Sequence, residues 1–378
     1  MKINRKETMK CMFRLLKQSI KNYDREDYID LEQLYFNYTE EEKRLLNGIL
    51  LEDIESLDTS YGELCVFYKI DDCIFMIVPN STSETMDSDM FEETDSNISH
   101  LFILCNKSLL MVNSEADGSV LFNSLMIYDQ PDYTGHHFEE VVDFFKPFSV
   151  YRIHPNSPLL ERDTVDYYRI YSFYLLWRLQ KSLSHYGSKQ WEQKTLQTIE
   201  NVILSGNNSI PFYLIASSLS SKRWSFIFLE SYRLIEHTFA AIYLRDLYSE
   251  IGTSMSPLNL AAKIEDVLDW RPNELISITN IFKAVIGKEE LKSFYNDLLI
   301  AKYNTDNASG FIATINYESG EYGYSATAKW YYKEIRNCIA HFRPIHSKPP
   351  FNDSQWNCII RFNYRLIEYL YSEYDELL

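Results

Sequence analysis

The sequence predicts a two-domain α+β protein, in which residues 1–155 form a domain with a small antiparallel sheet and residues 156–378 form an all-helical bundle. Three observations support this prediction. The chain has 378 residues, more than a single hydrophobic core usually spans. Its acidic side chains are concentrated before residue 155, and its hydrophobic pattern changes there from short strand-like runs to helical spacing.

The charge is divided unevenly between the two predicted domains. Residues 1–155 carry 29 acidic and 14 basic side chains, a net charge of −15, whereas residues 156–378 carry 25 and 23, a net charge of −2. An acidic surface repels a nucleic-acid backbone, so nucleic-acid contacts are expected in the second domain only. Alternatively, the acidity only keeps an aromatic-rich protein soluble. The boundary is expected in KPFSVYRIHPNSPLLERD, where prolines and a polar turn suggest a linker.

Short apolar runs predict the strands of the first domain. YGELCVFYKIDDCIFMIVPN is typical of two strands joined at Asp71-Asp72, and HLFILCNKSLLMVN of two more joined at Asn106-Lys107. SVLFNSLMIYD is a further candidate strand, and NSTSETMDSDMFEETDSN is expected to be an acidic loop. Helices are expected at the N-terminus and around FEEVVDFF. This combination predicts a small antiparallel sheet flanked by helices.

Helical spacing dominates the second domain. DTVDYYRIYSFYLLWRLQKSL begins with an aspartate cap, and SPLNLAAKIEDVLDW places Pro257 at a first helical position. The apolar stripe of the latter comprises Leu260, Ile264, Val267 and Leu268. FIFLESYRLIEHTF, a helix stopped by Gly287 and the C-terminal SQWNCIIRFNYRLIEYLYSEYDELL complete the predicted bundle.

Several classes of protein are disfavoured. The longest apolar runs, CIFMIV and FAAIYL, are far shorter than the ~20 residues of a membrane-spanning helix. The six scattered cysteines form no C-x-x-C pair, which favours free thiols and a cytoplasmic location. The basic N-terminal segment is expected to be a solvated helix, although its amphipathic pattern would also suit membrane contact. HHFEE, from His136 to Glu140, lacks matching ligand spacing and is expected to be a solvated turn, so no metal site is predicted there. No cofactor is predicted either.

The segment YYKEIRNCIAHFRP, residues 331–344, combines an apolar helical face with an unusual polar one. Its core face is formed at helical spacing by Ile335, Cys338, Ile339 and Phe342, and Ala328 and Tyr331 extend it backwards. Arg336, Asn337 and His341 fall on the opposite side, where Asn337 and His341 are one turn apart. Because Pro344 disfavours helix at the preceding residue, the helix should end near Phe342.

The string R-N-C-I-A-H resembles the R-x4-6-H motif of the HEPN superfamily. The resemblance implies a helical bundle and a metal-independent ribonuclease of the kind found in toxin and antiphage-defence systems, usually a homodimer whose two motifs form one site. It carries over Arg336 and His341 as the catalytic pair and Asn337 as the polar residue beside the arginine. It covers the second half only, and residues 1–155 resemble nothing we recognise.

The residue types suit this chemistry. Histidine, with an ordinary pKa of about 6.5, can transfer protons near neutral pH, and arginine offers a permanently charged fork for phosphate oxygens. Glu236 lies on an apolar stripe of its helix, where a carboxylate needs a cation or a proton. We expect it to orient Arg336 and His341. A local pair with Arg233 or His237 is the alternative.

Three basic residues beyond the motif, Arg343, His346 and Lys348, are candidates for substrate binding through RNA phosphates, or they merely end the helix. The sequence therefore predicts an endoribonuclease with an acidic first domain of unknown role, open to a regulatory protein partner. The alternatives are a non-catalytic scaffold that binds RNA or protein and an effector controlled by its partner. In the plainest alternative, Arg336 forms a surface salt bridge and His341 caps its own helix.

Overall fold

A computed structural model describes residues 2–19, 34–58, 64–79, 89–113, 134–160, 165–181, 190–241, 255, 257–268, 273–303, 316–340, 351–375 and 378. The chain divides into two compact units, Met1–Glu161 and Arg162–Leu378. The first contains a five-stranded antiparallel sheet, and the described residues of the second form helices and turns without strands. The mixed α+β class predicted from the sequence is therefore confirmed.

The N-terminal unit is built on one sheet with strand order β1-β2-β3-β5-β4, in which every neighbouring pair is antiparallel. Helix α3 packs with α1 and α2, and its side chains join those of the sheet in the core of this unit. The elements are α1 (Arg5–Ser19), α2 (Glu40–Gly48), β1 (Ile54–Asp58), β2 (Leu64–Ile70), β3 (Cys73–Pro79), β4 (Phe91–Thr94), α3 (Ile98–Asn106), α4 (Phe138–Val141) and β5 (Phe148–Ile153), with 3-10 turns at Leu51–Asp53, Val142–Phe144 and Pro158–Leu160.

The hairpin predicted at Asp71-Asp72 is present. Strands β2 and β3 pair from Val66 opposite Ile77 to Ile70 opposite Cys73. Asp71 and Asp72 have φ values of 47° and 64°, the left-handed pair that a two-residue type I′ turn requires. Aspartate tolerates this region better than most residues, so the local sequence sufficed to place the turn.

The second predicted hairpin, in HLFILCNKSLLMVN, is wrong, because this segment contains helix α3. Asn97 caps the helix by accepting from the Ser99 backbone N–H at 2.9 Å, and His100 Nδ1 accepts from the Asn97 N–H at 3.0 Å. Every residue from Ile98 to Cys105 is buried. A short run that is apolar on all sides has no period to distinguish a buried helix from a buried strand.

Two further expectations for the first unit are corrected. The stretch expected to be a linker contains strand β5, which pairs with both β3 and β4. Strand β4 lies in the expected acidic loop. Neither segment has a strong local strand pattern. Each is a strand because it pairs with neighbouring strands of the sheet, and the sequence alone does not show that pairing. The candidate strand at residues 119–129 lies outside the described residues.

His136 in the HHFEE segment is buried rather than solvated. Its backbone forms a parallel bridge with Phe36, and its Nδ1 atom lies 3.4 Å from a carboxylate oxygen of Glu140. Burial lowers the pKa of His136, and the charge of Glu140 opposes that shift. The residue therefore belongs to the packing of the unit.

The C-terminal unit is organised around its last helix, α14, which packs against α6, α8 and α11. Arg361 of α14 donates to Asp297 at 2.8 Å and to Glu192 at 3.1 Å, and it thereby links α11 and the start of α6. The helical segments are α5 (Tyr167–Lys181), α6 (Gln193–Leu204), α7 (Phe212–Ser220), α8 (Trp224–His237), α9 (Pro257–Leu268), α10 (Glu274–Ile286), α11 (Glu289–Tyr303), α12 (Tyr324–Trp330), a π-helical turn (Tyr331–Arg336), α13 (Asn337–Ala340) and α14 (Asp353–Glu373).

The sequence placed several of these helices well. Asp166 caps α5 by accepting from the Arg169 N–H at 3.2 Å, and Pro257 is the first residue of α9. The predicted apolar stripe of α9 is only partly buried, since Leu260 and Ile264 are half-buried and Val267 is 68% exposed. No helix in the described ranges combines the length and apolarity that a membrane crossing needs. All six cysteines are free thiols.

Candidate functional site

The motif helix runs through α12, the π-helical turn and α13 without a break, and it positions Arg336 at the end of the π-helical turn. Ala328, Tyr331 and Ile335 are buried as the helical spacing predicted, but Cys338 and Ile339 of the same predicted face are only half-buried. A π-helical turn widens the helix locally and is often found at functional sites.

Arg336 was expected on the exposed polar face, but only 15% of its side chain is accessible. Its Nη2 atom lies 2.9 Å from Oε1 of Glu274, and its Nη1 atom donates to Oδ1 of Asn337 at 3.1 Å. The guanidinium carbon lies 5.7 Å from the ring centres of both Tyr232 and Tyr332. Within the described part of the chain, Arg336 is therefore held by an ion pair, an amide oxygen and two aromatic rings.

Glu274, the first residue of α10, is the carboxylate that binds Arg336. Asn273 caps α10 by accepting from the Ile276 N–H at 3.1 Å, and this cap sets the position of Glu274. The second carboxylate oxygen of Glu274 accepts from the Tyr232 hydroxyl at 3.1 Å. Burial, followed by the charge of Glu274, raises the pKa of Tyr232, so this hydroxyl stays protonated and donates.

A chain of buried hydrogen bonds connects the π-helical turn to two neighbouring helices. Tyr331 donates to Asn363 of α14 at 2.7 Å, and the Asn363 amide donates to Ser231 of α8 at 2.8 Å. All three residues are buried. The chain fixes the π-helical turn against two helices, and one of these, α8, also carries Tyr232.

Glu236 lies one turn beyond Tyr232 on α8 and is half-buried. Burial and the nearby charge of Glu274 raise its pKa, whereas Arg336 and Arg233 act in the opposite direction. A direct ion pair between Glu236 and Arg336 was expected, but among the described residues the ion pair of Arg336 is with Glu274, and Arg336 acts on Glu236 through its charge. Glu236 is a second carboxylate close enough to feel both charges.

The local partners considered for Glu236 bond elsewhere. Arg233 donates to Glu230 at 3.0 and 3.1 Å, and the His237 ring nitrogen Nδ1 lies 3.1 Å from the Tyr371 hydroxyl. Because Tyr371 donates its own proton to the Leu234 carbonyl, the histidine is the donor in that contact. Arg233 acts on Glu236 only through its charge.

The remaining predicted site residues are placed only in part. Asn337, expected to fix the ring of His341, is half-buried and uses its oxygen for Arg336. His341, Arg343, His346 and Lys348 lie outside the described residues. Of the predicted site residues, the structure therefore brings Arg336 and Asn337 into contact and places Glu236 within range of the charge of Arg336.

Sequence reasoning missed Glu274 and the role of Tyr232. An acidic residue in the first turn after an asparagine cap is common in helices, so Glu274 carried no signal of its own. It lies 62 residues before Arg336, and only the packing of α10 beside the motif helix brings the two together. Glu274 could therefore be identified as the partner of Arg336 only from the three-dimensional structure.

Within the ranges that the structure describes, no three histidine, cysteine, aspartate or glutamate side chains are grouped as a metal site would require. No family model matches the chain, and no curated protein and no solved structure matches it either. The site must therefore be judged on its own geometry.

Proposed function

We propose that the C-terminal unit is a HEPN-type endoribonuclease that cleaves RNA without a metal by attack of the substrate's own 2′-OH. The observation that carries the proposal is a largely buried arginine, which lies near two tyrosine rings and five residues before a histidine in the chain. A fixed guanidinium provides charge stabilisation at a phosphate without having to reorganise during the reaction. A toxin or antiphage-defence effector is the corresponding biological role.

Each residue has a separate task in this scheme. Arg336 holds the phosphate oxygens, on which negative charge grows during the reaction. His341 transfers a proton to or from a ribose oxygen. The phosphate competes with Glu274 for Nη2 of Arg336, so Glu274 both orients the guanidinium before binding and weakens unproductive anion binding. Glu236, whose pKa is raised, is the second carboxylate available for proton transfer.

A non-catalytic binding module is the second candidate, and one observation favours it. The charge of Arg336 is already neutralised by Glu274, as in an ordinary structural ion pair. In that case the helical unit binds RNA or a protein partner as a scaffold, and the acidic N-terminal unit is the surface on which a regulatory partner acts.

Cleavage of total RNA by the purified chain in EDTA tests the proposal. Wild-type protein should leave 2′,3′-cyclic phosphate ends or their hydrolysis products, and His341→Ala should lose cleavage by at least ~100-fold, in line with the loss of a general acid–base group. Arg336→Lys keeps the charge but not the planar fork, so it should also lose most activity.

Glu274→Gln is the matched control for the ion pair. It removes the carboxylate charge but leaves an amide oxygen for the arginine, so an enzyme should retain cleavage. A strict requirement for Mg²⁺ with 5′-phosphate products contradicts the mechanism. RNA binding without cleavage, unaffected by His341→Ala, supports the scaffold instead.

A further inference from the structure

The N-terminal unit contains a cavity of about 630 Å³ that the proposed RNA chemistry does not use. Residues of α2, α3 and the strands β2, β3 and β5 line it. Its volume lies within the range of small-molecule sites. Both aromatic and charged side chains contribute to the wall, so the polar groups decide which ligand fits.

One row of side chains crosses the sheet at this cavity. Tyr68 of β2 pairs in register with Phe75 of β3, which in turn pairs with Arg152 of β5, so the three side chains share a face. The rings of Tyr68 and Phe75 are stacked with centres 5.0 Å apart. All three residues line the cavity, which thus has two aromatic rings beside a guanidinium.

Tyr68 offers a hydroxyl proton that no described residue accepts. His100 Nδ1 accepts from the Asn97 N–H at 3.0 Å, so a neutral ring carries its proton on Nε2. That nitrogen lies 2.8 Å from the Tyr68 hydroxyl, which must therefore act as the acceptor in this bond. Tyr68 is 2% exposed and lines the cavity together with His100. A buried donor without an acceptor is costly unless a bound group satisfies it.

Arg152 supplies a second unused donor. Its Nε atom is buried and has no hydrogen-bond acceptor among the described residues. Its terminal nitrogens are weakly engaged, at 3.5 Å from the sulfur of Cys73 and 3.7 Å from a carboxylate oxygen of Glu92. The sheet row therefore ends in a cation with one N–H that no described acceptor satisfies.

The rim of the cavity has the opposite charge. Glu41, Asp95 and Glu139 line it, are exposed, and form no ion pair within the described ranges. The other acidic groups are occupied, since Asp71 pairs with Arg44 at 3.0 Å and Glu42 accepts backbone N–H groups of the Thr39 cap and of α3. The rim therefore attracts cations, whereas the interior donors require an acceptor oxygen.

We propose that this cavity binds a free basic amino acid, whose carboxylate accepts from Tyr68 and Arg152 and whose cationic groups face Glu41, Asp95 and Glu139. This ligand class satisfies both buried donors and the charge of the rim. An acidic amino acid would add repulsion at the rim, and a simple amine would leave the donors unsatisfied. The site goes beyond the RNA chemistry of the other unit, and it gives the acidic unit a ligand-sensing role.

Calorimetric titration of the full chain tests the proposal with four probes. L-Arginine and L-lysine should bind; agmatine, which lacks the carboxylate, should bind at least about ten-fold more weakly, since it loses hydrogen bonds to a charged group. L-Glutamate should not bind. Tyr68→Phe removes only the hydroxyl and should weaken L-arginine binding about ten-fold.

Tyr151→Phe is the matched control, because Tyr151 neighbours Arg152 on β5 and faces the other side of the sheet. It should leave L-arginine affinity unchanged. Arg152→Gln, at a partly exposed position, provides an independent loss of binding if Tyr68→Phe fails to fold in a thermal melt. The proposal is overturned if no basic amino acid binds at millimolar concentration, if agmatine binds as well as L-arginine, or if folded Tyr68→Phe or Arg152→Gln binds as wild type does.

Discussion

Arg336 and Glu274 form the interaction at the centre of the site, and their partial burial changes what substitution will do. The helical spacing predicted that Arg336 projects from the polar face. An arginine in such a position could be removed with little change in stability. With 15% and 27% of the two side chains exposed, removal of the arginine leaves a partly desolvated carboxylate. Activity measurements on Arg336 variants therefore need a stability measurement beside them.

We expect Arg336→Ala to lower the free energy of unfolding by about 1–2 kcal/mol, less than for a fully buried pair because Glu274 keeps some contact with water. Urea denaturation measures the change. Adding Glu274→Gln to the variant should recover part of the loss, since the unpaired charge is then gone. Lys288→Ala is the control, as its pair with Glu373 is more exposed and should contribute little. Equal losses of unfolding free energy for Arg336→Ala and Lys288→Ala would show that the Arg336 pair stabilises the fold no more than an exposed ion pair does.

Glu236 should make the protein less stable at neutral pH. Its pKa in the folded state is raised, so the folded chain binds its proton more tightly than the unfolded chain does. Stability from this group is then fully present below the unfolded pKa of about 4.3 and is lost as the pH rises through the folded pKa. We expect Glu236→Gln to raise the melting temperature at pH 7.5 and to raise it less at pH 4.5.

If Glu236 acts in catalysis, the same substitution gains stability and loses RNA cleavage, a trade common at functional sites. Thermal melts at the two pH values, with Glu230→Gln as a carboxylate control that is bonded to Arg233, separate the effects. A Glu236→Gln chain that is less stable than wild type at pH 7.5 contradicts the assigned electrostatics.

At the scale of elements, the π-helical turn depends on its attachment to α8 and α14. Tyr331→Phe removes the proton that Asn363 accepts and leaves a buried amide oxygen unsatisfied. We expect a loss of about 1–2 kcal/mol in the free energy of unfolding. Tyr332→Phe, at the next residue, removes a hydroxyl that forms no hydrogen bond with the described residues, and it should cost less than about 0.5 kcal/mol. Similar losses for the two variants would show that the buried hydrogen bonds from Tyr331 through Asn363 to Ser231 do not support the site.

The same elements show which features the sequence could predict. The Asp71-Asp72 turn and the Asp166 cap depend on neighbouring residues, so local chemistry identified them. The prediction failed for helix α3, because an apolar run that is buried on all sides has no hydrophobic period to separate helix from strand. At the site, the motif located Arg336, but its ion pair with Glu274 joins residues far apart in the chain, and no local pattern encodes it.

At the scale of the whole molecule, charge separates the two proposed roles. Residues 156–378, which carry the RNA motif, have a net charge of −2, whereas residues 1–155 have −15. RNA binding is therefore expected in the C-terminal unit, where it meets less repulsion. The acidic unit suits cationic ligands or a basic regulatory surface.

The proposed reaction also depends on assembly, because the arginine that stabilises charge and the histidine that transfers protons must face the same phosphate. A two-fold homodimer in which the motif helices of both subunits meet would place the arginine of one subunit opposite the histidine of the other, since an isologous interface brings the same surface of both chains together. We expect the active species to be a dimer by light scattering at assay concentration.

Mixed dimers test this dependence directly. Arg336→Ala chains and His341→Ala chains should each be inactive, but after co-refolding their hybrid keeps one arginine and one histidine on different subunits. We expect the mixture to recover RNA cleavage to as much as about a quarter of the wild-type rate, because half of randomly paired dimers are hybrids and each keeps one of two possible arrangements. Thermal melts confirm that both variants are folded at the assay temperature, and Arg336→Lys replaces Arg336→Ala if the latter is not. A mixture as inactive as its parents, or a fully active monomer, would show that the two motifs do not share one site.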